Sequence, residues 1–317
     1  MPDILFIKTS SLGDVIHHMP AVSDARRHLP QARLSWVVEE AYAPLVRLHP
    51  AIDEVIAVAS RRWRGEPFKP SAWRSAARFV RALRARDYDE IVDAQGLVRS
   101  ALIAKLARGR RHGYDQASVR ERFASKFYDV RHAVARTEHA IARNRLLTGL
   151  ALGYAPQGAP DFGLDRARLV EGVPPPYAIF LHASARREKE WPEANWRSLL
   201  QALDRRGVQL LLTAGSEAEQ ARSARIAADI RHARVPMRRP LDAMARLIAG
   251  AAFVVGVDTG LLHVAAALSV PLVAIFIASE PALTGPVGSG PIAVLGGDGR
   301  VPAVEEVAAA VEKIAPA

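Results

Sequence analysis

The 317-residue sequence contains no cysteine, which excludes a disulfide framework, a Cys-ligated zinc site, an iron–sulfur cluster and a thiol nucleophile. It has no apolar run of the ~18 residues that a membrane-spanning helix requires. Its opening, Met1-Pro-Asp-Ile-Leu-Phe-Ile-Lys8, passes straight into strand-like sequence without a signal-peptide pattern. Aromatic residues make up only 6% of the chain, and only six of its 43 basic residues are lysine. Half of the residues are hydrophobic and 24% are charged, enough for a sizeable core and against wholesale disorder. The length exceeds one ordinary domain and suits two. These features predict an intracellular α/β protein.

The charge is unevenly placed. Residues 1–150 hold 26 basic and 16 acidic side chains, a net of +10, whereas residues 151–317 hold 17 of each. A basic half points to an anionic partner: nucleic acid, a phosphorylated substrate or an anionic membrane surface. A genomic preference for arginine would explain the arginine excess but not the neutrality of one half.

Strand-like apolar runs alternate with helix-period stretches throughout. Strands are predicted near Ile4–Lys8, Leu34–Val38, Glu54–Val58, Glu90–Asp93 and His112–Tyr114, then near Ala178–His182, Gln209–Thr213, Phe253–Val257 and Leu272–Phe276. Between them helices are predicted, among them Gly13–His28, Ala72–Ala85, Glu193–Asp204, Gly260–Leu268 and Val304–Lys313. This alternation signals parallel sheets covered on both faces. The Pro/Gly-rich runs at 155–163 and 173–177 break it into two halves. Ligands of such sheets bind beyond the carboxyl ends of the strands, so residues just after strands are the candidates.

Four segments qualify. Lys8-Thr-Ser-Ser-Leu-Gly-Asp14 places small hydroxyl residues and a glycine at a helix start, where free N–H groups can meet an anion or a sugar oxygen. It matches neither a Walker loop nor Gly-x-Gly-x-x-Gly. Asp14 there either complements the helix dipole or serves as a general base. In Val255-Gly-Val-Asp258-Thr-Gly-Leu-Leu-His263 a buried strand runs into a helix whose start, capped by Asp258 or Thr259, suits a diphosphate without a metal. His263 near its rim is either a donor contact or a satisfied structural histidine. His182-Ala-Ser-Ala-Arg-Arg-Glu-Lys189-Glu-Trp-Pro192 offers Ser184 and Lys189 to phosphate oxygens, or is a solvated basic loop. The fourth is Arg61-Arg62-Trp63-Arg64, joined by Arg108, Arg110, Arg111, Arg120 and Arg122. Forked guanidinium groups suit phosphate and carboxylate, although a solvated charged face is the alternative for each. With little aromatic interleaving the set is a weak nucleic-acid signal. His17-His18 and Glu39-Glu40 lack zinc-ligand spacing, so no metal site is predicted.

The motifs Lys8–Asp14, His182–Pro192 and Asp258–His263, in this order and spacing along the chain, resemble the lipopolysaccharide heptosyltransferases over essentially the whole sequence. Arg61–Arg64 and Arg111-His-Gly-Tyr-Asp115 look most like the type I branch, which adds the first inner-core heptose. The resemblance implies an α/β GT-B fold: two Rossmann-like, doubly wound parallel-sheet domains facing a central cleft. Residues 1–155 would bind the acceptor, 156–176 would link, and 177–317 would bind the donor, with the last helix packing back on the first domain. The implied donor is ADP-L-glycero-β-D-manno-heptose and the implied acceptor Kdo-lipid A. The implied reaction inverts the anomeric centre and uses no metal or other cofactor.

Carried over residue by residue, the resemblance gives Asp14 the role of base toward the Kdo hydroxyl. Lys189 would bind the diphosphate, with Ser184 beside it at a position where threonine is usual. Asp258 would hold the donor sugar, Thr259, Gly260 and Leu261 would line the diphosphate, and His263 would contact the donor. Glu219, after Leu211-Leu-Thr-Ala-Gly-Ser216, would meet the ribose. The acceptor would fall to Lys8, Ser10, Ser11, Gly13, Arg61, Arg62, Arg64 and Arg120. Two departures stand out. Ala185 replaces a second threonine, and Ile277-Ala-Ser-Glu280-Pro281 replaces a Thr-Asp-Pro-like turn before Leu283-Thr-Gly-Pro286.

An acidic glycolipid in an anionic leaflet would account for the basic first half, each basic residue near such a surface contributing roughly 1 kcal/mol. The expected placement is cytoplasmic, peripheral to the inner membrane, with no nucleic-acid partner. Alternatives are a type II or other heptosyltransferase, a GT-B nucleotide-sugar epimerase that needs no acceptor, and an arginine-rich nucleic-acid-binding protein. The last leaves the Asp258-Thr-Gly-x-x-His263 helix start without a reason.

Overall fold

The computed structural model describes residues 1–170 and 176–316. Residues 173–175 of the second proline-rich run, part of the expected linker, lie outside the described residues. The chain divides into two compact units, Met1–Gly163 and Leu164–Ala317.

In the first unit the strands are β1 (Asp3–Ile7), β2 (Arg33–Glu39), β3 (Glu54–Val58), β4 (Asp87–Asp93), β5 (Arg108–Tyr114) and β6 (Val130–His132). Its helices are α1 (Leu12–His28), α2 (Ala43–Val46), α3 (Ser60–Gly65), α4 (Pro70–Leu83), α5 (Val98–Leu106) and α6 (Ala140–Leu152). The sheet is parallel throughout, in the order β3-β2-β1-β4-β5-β6. Central strands covered on both faces must be apolar on both, and β1 is buried from Ile4 to Ile7. Leu5, Ile7 and Val37 face a core shared with Phe79 and Leu83 of α4. Phe6 faces the other way, edge-on to His18 of α1. Helix α1 is buried along most of its length because α6 covers it: Asn144 Nδ2 donates to His17 O at 3.0 Å, and Arg145 pairs with Asp24.

The second unit repeats the plan with β7 (Tyr177–Leu181), β8 (Gln209–Leu212), β9 (Ala233–Arg234), β10 (Phe253–Val257), β11 (Leu272–Phe276) and β12 (Ile292–Gly296). Its helices are α7 (Arg166–Leu169), α8 (Glu193–Leu203), α9 (Glu217–Ala227), α10 (Leu241–Ala249), α11 (Gly260–Ala267), α12 (Pro281–Thr284) and α13 (Val304–Ile314). The parallel order is β12-β11-β10-β7-β8-β9. Trp191, Trp196, Phe180 and Phe253 fill its core, and Val307 and Val311 of α13 close it. Helix α13 thus packs on α8 and β10–β12 of its own unit.

Each order, read within its unit, is the doubly wound 3-2-1-4-5-6 arrangement. The strands not anticipated, β6, β9 and β12, are all sheet edges. β6 (Val-Arg-His) and β9 (Ala-Arg) are too short and polar to show the apolar run of a central strand, whereas β12 (Ile-Ala-Val-Leu-Gly) carries such a run although it is only half-buried. Among the described residues no helix is long and apolar enough to cross a membrane.

Candidate functional site

In each unit the direction of winding reverses between the first and fourth strand, and ligand crevices form beyond the carboxyl ends of such a pair. In the first unit these are β1 and β4; in the second, β7 and β10. Three of the four motifs singled out in the sequence follow β1, β7 and β10 directly.

After β1 the chain turns through Thr9 and Ser10 into α1. Ser11 is the N-cap, and its N–H donates to Asp14 Oδ2 at 2.8 Å while its hydroxyl lies 3.3 Å from the same oxygen. Arg120 Nη1 stands 3.9 Å from that oxygen. Oδ1 of Asp14 accepts none of the described hydrogen bonds, and the carboxyl group is partly exposed. Asp14 therefore caps the helix through Oδ2, while Oδ1 is left out of the described capping contacts. Gln95, just beyond β4, holds the loop from behind: its Oε1 accepts from Thr9 N at 3.0 Å and from Ser10 N at 3.1 Å. The buried Asp93 fixes Gln95 in turn, accepting from the backbone N–H of Gln95 and Gly96 at 2.9 and 3.2 Å and from Tyr128 Oη at 2.8 Å. Burial pushes the Asp93 carboxyl up, against the pull of these hydrogen bonds. Gly113 makes room for Tyr128, since a Cβ there would come 2.3 Å from the ring. Lys8 points inward. Its Nζ donates to Ala94 O at 2.8 Å and lies 3.4 Å from Asn144 Oδ1; burial lowers its pKa, and the charges of Asp14 and Asp93 oppose the shift.

In the second unit Asp258 closes β10 and Thr259 is the N-cap of α11, without a side-chain cap bond. The N–H groups of Gly260 and Leu261 thus receive no cap from the Thr259 side chain, whereas Leu262 N–H donates to Thr259 O at 3.1 Å. The Asp258 carboxylate is paired with Lys189 Nζ and accepts from Ser279 Oγ at 2.5 Å, while Ser184 Oγ donates to Asp258 O at 2.8 Å. Burial alone would raise the Asp258 pKa, but the hydrogen bonds from Lys189 and Ser279 and the nearby charges of Lys189 and His263 hold it below the usual carboxylate range. His263 is buried in the first turns of α11. Gly256 lets β10 lie against β7, because a Cβ would stand 2.9 Å from that of Leu181. Glu219 serves the N-terminus of α9: its carboxylate accepts from Gly215 N at 2.7 Å while its own N–H donates to Ser216 Oγ at 3.2 Å. Ala185 is exposed.

The model of glycosyltransferase family 9 (heptosyltransferase) matches residues 76–311. Lipopolysaccharide heptosyltransferase 1 of Salmonella typhimurium is 42% identical over 294 residues, which are 92% of this chain and 93% of that protein. The chain belongs to glycosyltransferase family 9. The structure of E. coli heptosyltransferase WaaC with ADP matches at a TM-score of 0.93 and 38% identity, over 99% of this chain and all of that one. The WaaC structure with ADP-2-deoxy-2-fluoro heptose matches at 0.86 and 38%, over 98% of each. The protein is thus a heptosyltransferase of lipopolysaccharide biosynthesis, with an α/β fold of the GT-B type.

Within this transferase the basic run lies on α3, where its side chains are exposed. Arg61 Nη2 donates to Tyr42 Oη at 2.7 Å, and its N–H to Glu39 Oε1 at 3.0 Å. Arg62 makes a two-pronged contact with Glu40 at 3.0 and 2.9 Å, whereas Arg64 Nε donates to Ser60 O at 3.4 Å. Arg111 is committed to Asp129, at 2.9 and 2.6 Å. A shallow cavity of about 490 Å³ lies beyond β5, lined by Asp115, Gln116, Ala117, Arg122 and Arg131. Residues the sequence reading did not single out are Gln95, Ser279 and Arg222. Arg222, on α9, pairs with Glu190 at 2.5 Å and donates to His182 O at 3.2 Å and Trp191 O at 2.9 Å, bracing the loop that carries Lys189. Gln95 could have been found, because it follows β4 at the reversal point of the sheet. Ser279 sits in the turn flagged as a departure from the family pattern.

Proposed function

We propose that this heptosyltransferase moves L-glycero-D-manno-heptose from ADP-L-glycero-β-D-manno-heptose to a Kdo hydroxyl of Kdo-lipid A, inverting the anomeric centre without a metal ion. The observation that carries the reading is the pair of reversal-point sites: Asp14 with an oxygen to spare after β1, and Lys189 with Asp258 at the start of α11 after β10. They divide the chemistry of a displacement. Asp14 Oδ1 takes the proton of the acceptor hydroxyl as that oxygen attacks the anomeric carbon. The bond from that carbon to the diphosphate oxygen breaks, and ADP leaves with the electron pair. Attack opposite the leaving group inverts the centre. Lys189 and the N–H groups of α11 supply positive charge to the departing diphosphate, the role a metal ion would otherwise fill. Ser184 and Thr259 to Leu261 line the same helix start, and Asp258 meets the heptose hydroxyls. His263 contacts the donor and Glu219 the ribose. Arg61, Arg62, Arg64 and Arg120, with Ser10, Ser11 and Gly13, face the acidic acceptor, while Lys8 supports their loop from beneath. The relative crystallised with an ADP-heptose analogue supports this donor, and the whole-length likeness to a type 1 enzyme supports this acceptor. The basic first half supports a place on the anionic cytoplasmic face of the inner membrane.

The test is heptose transfer to Kdo-lipid A in EDTA by the parent and by Asp14→Asn, which keeps an acceptor for Ser11 N–H. Transfer by the parent and a loss of about 10²–10⁴-fold in the variant, with ADP binding retained, is the expected result. Transfer only to an acceptor that already carries heptose would move the assignment to type II.

A further inference from the structure

Helix α4 has two unlike faces. Ala72, Phe79 and Leu83 are buried, and the ring of Phe79 lies 5.7 Å from that of Trp63 on α3. Pro70, Trp73, Arg74, Ala77, Arg78 and Arg81, spaced three and four residues apart, form an exposed stripe. Trp73 is 69% exposed, and Phe68, in the turn before α4, is 94% exposed. That turn, Glu66-Pro-Phe-Lys-Pro70, is stiffened by prolines on either side of the phenylalanine and closed by Lys69 N donating to Glu66 O at 3.1 Å. Two large aromatic side chains are therefore held out in water by the chain that precedes and begins the helix.

Their surroundings are mostly positive, although Glu40 pairs with Arg62 of α3 at 2.9 Å. Residues 60–84 contain eight arginine or lysine residues and one acid, Glu66, which Lys69 engages at 2.8 Å. Among the described residues Arg64, Arg74, Arg78 and Arg81 have no carboxylate partner. Exposed aromatic rings level with an unpartnered arginine stripe complement the boundary between acyl chains and anionic headgroups, where rings enter the apolar edge and guanidinium groups meet phosphate.

We propose that the outer face of α3, α4 and the turn between them docks on an anionic phospholipid bilayer, with Phe68 and Trp73 entering the headgroup layer. This rests on the glycolipid reading given above, and it names the surface that meets the membrane. Docking through this face sets α3, with Arg61, Arg62 and Arg64, beside the lipid from which the acceptor's sugars project.

The experiment is flotation of the full chain with vesicles of phosphatidylethanolamine and phosphatidylglycerol, and with neutral phosphatidylcholine vesicles. The parent is expected to float with the anionic vesicles in 0.1 M salt and to be released by 1 M salt, where the screening length falls to about 3 Å. Phe68→Ser with Trp73→Ser should lower partitioning about tenfold or more. Arg74→Ser with Arg78→Ser should lower it about fivefold for each arginine. All of these residues are exposed, and transfer to a water-soluble, deacylated acceptor should equal that of the parent. Equal partitioning by the parent and the aromatic variant overturns the proposal. So does a vesicle-free change in sedimentation, which would assign the face to a second copy, or salt-dependent RNA binding lost in the same variant. Failure of the parent to use the deacylated acceptor would overturn the acceptor reading instead, while the vesicle result would still judge the docking face.

Discussion

Removing Arg145 should loosen the first unit more than any surface arginine would. Its guanidinium grips Asp24 through Nε at 2.6 Å and Nη2 at 3.2 Å, and also donates to Gly158 O at 3.0 Å and Gln157 O at 2.8 Å. The Asp24 side chain is 1% exposed and that of Arg145 11%. The pair clamps α1, which carries Asp14, to α6, which carries Asn144. Arg145→Met keeps the bulk and the helix preference of the side chain but strips its charge. Asp24 then keeps one cation, Arg27 at 3.3 Å, whose side chain is half-exposed and weakened by solvent. Breaking a buried pair from one side costs about 3–5 kcal/mol. Arg27 and the exposed loop carrying the two freed carbonyls place the cost near the lower end, about 3 kcal/mol, or roughly a hundredfold in the unfolding equilibrium. Urea denaturation should show the loss, and hydrogen exchange should locate it in the amides of α1 and α6. Asp24→Leu with Arg145→Met removes both charges and should cost less than Arg145→Met alone. A single variant within 1 kcal/mol of the parent, or a double variant as costly as the two singles summed, would refute the reasoning.

Lys189→Met should weaken ADP binding by the worth of one charge-assisted hydrogen bond, about 1.5–3 kcal/mol or ten- to 150-fold, as read by calorimetry; unchanged affinity would remove Lys189 from the diphosphate site. Gln95→Leu leaves Thr9 N–H and Ser10 N–H without their acceptor, so kcat should fall about tenfold or more while ADP affinity holds. Gln95→Glu, which keeps an acceptor oxygen, should recover part of that loss, and an unaltered kcat in Gln95→Leu would show that the loop holds itself. The Arg111 guanidinium holds the Asp129 carboxyl at about 2, below its ordinary 3.8, so the folded protein binds that proton less readily than the unfolded chain. The resulting stabilisation is complete above the ordinary value and lost as pH falls toward 2. The Tm gap between parent and Arg111→Met should therefore shrink between pH 5 and pH 2.5, and a constant gap would discount the pair.

The placement of the candidate site residues was legible to different depths, and the reason is geometric. Position along a parallel sheet is a one-dimensional property: a motif that follows a central strand must emerge at the carboxyl edge. Sequence position alone thus places Asp14, Lys189 and Asp258 at that edge. Contacts closed by the fold across many residues leave no such trace. Gln95 meets a loop 85 residues away, Arg222 braces a segment 31 residues before it, and Ser279 reaches back 21 residues to Asp258. The edge strands β6 and β9 escaped for a related reason, since only a strand covered on both faces must be apolar on both.

Lys8 marks where alternation along a strand carries information that motif position does not. Side chains of successive strand residues point to opposite faces. Leu5 and Ile7 face α4 and Phe6 faces α1, so continuing the pattern one residue past β1 turns Lys8 toward α1 and α6. That is where Ala94 O and Asn144 Oδ1 receive it. The resemblance implied an acceptor contact for Lys8, and the structure places its side chain in the interior. It is buried beneath the Asp14 loop, where burial lowers its pKa and the charges of Asp14 and Asp93 oppose that shift. Ser10 and Ser11, beyond the strand and at the helix start, are freed from that alternation and reach the surface. The same seven-residue motif thus holds both the support and the working edge of the site, and the end of β1 divides one from the other.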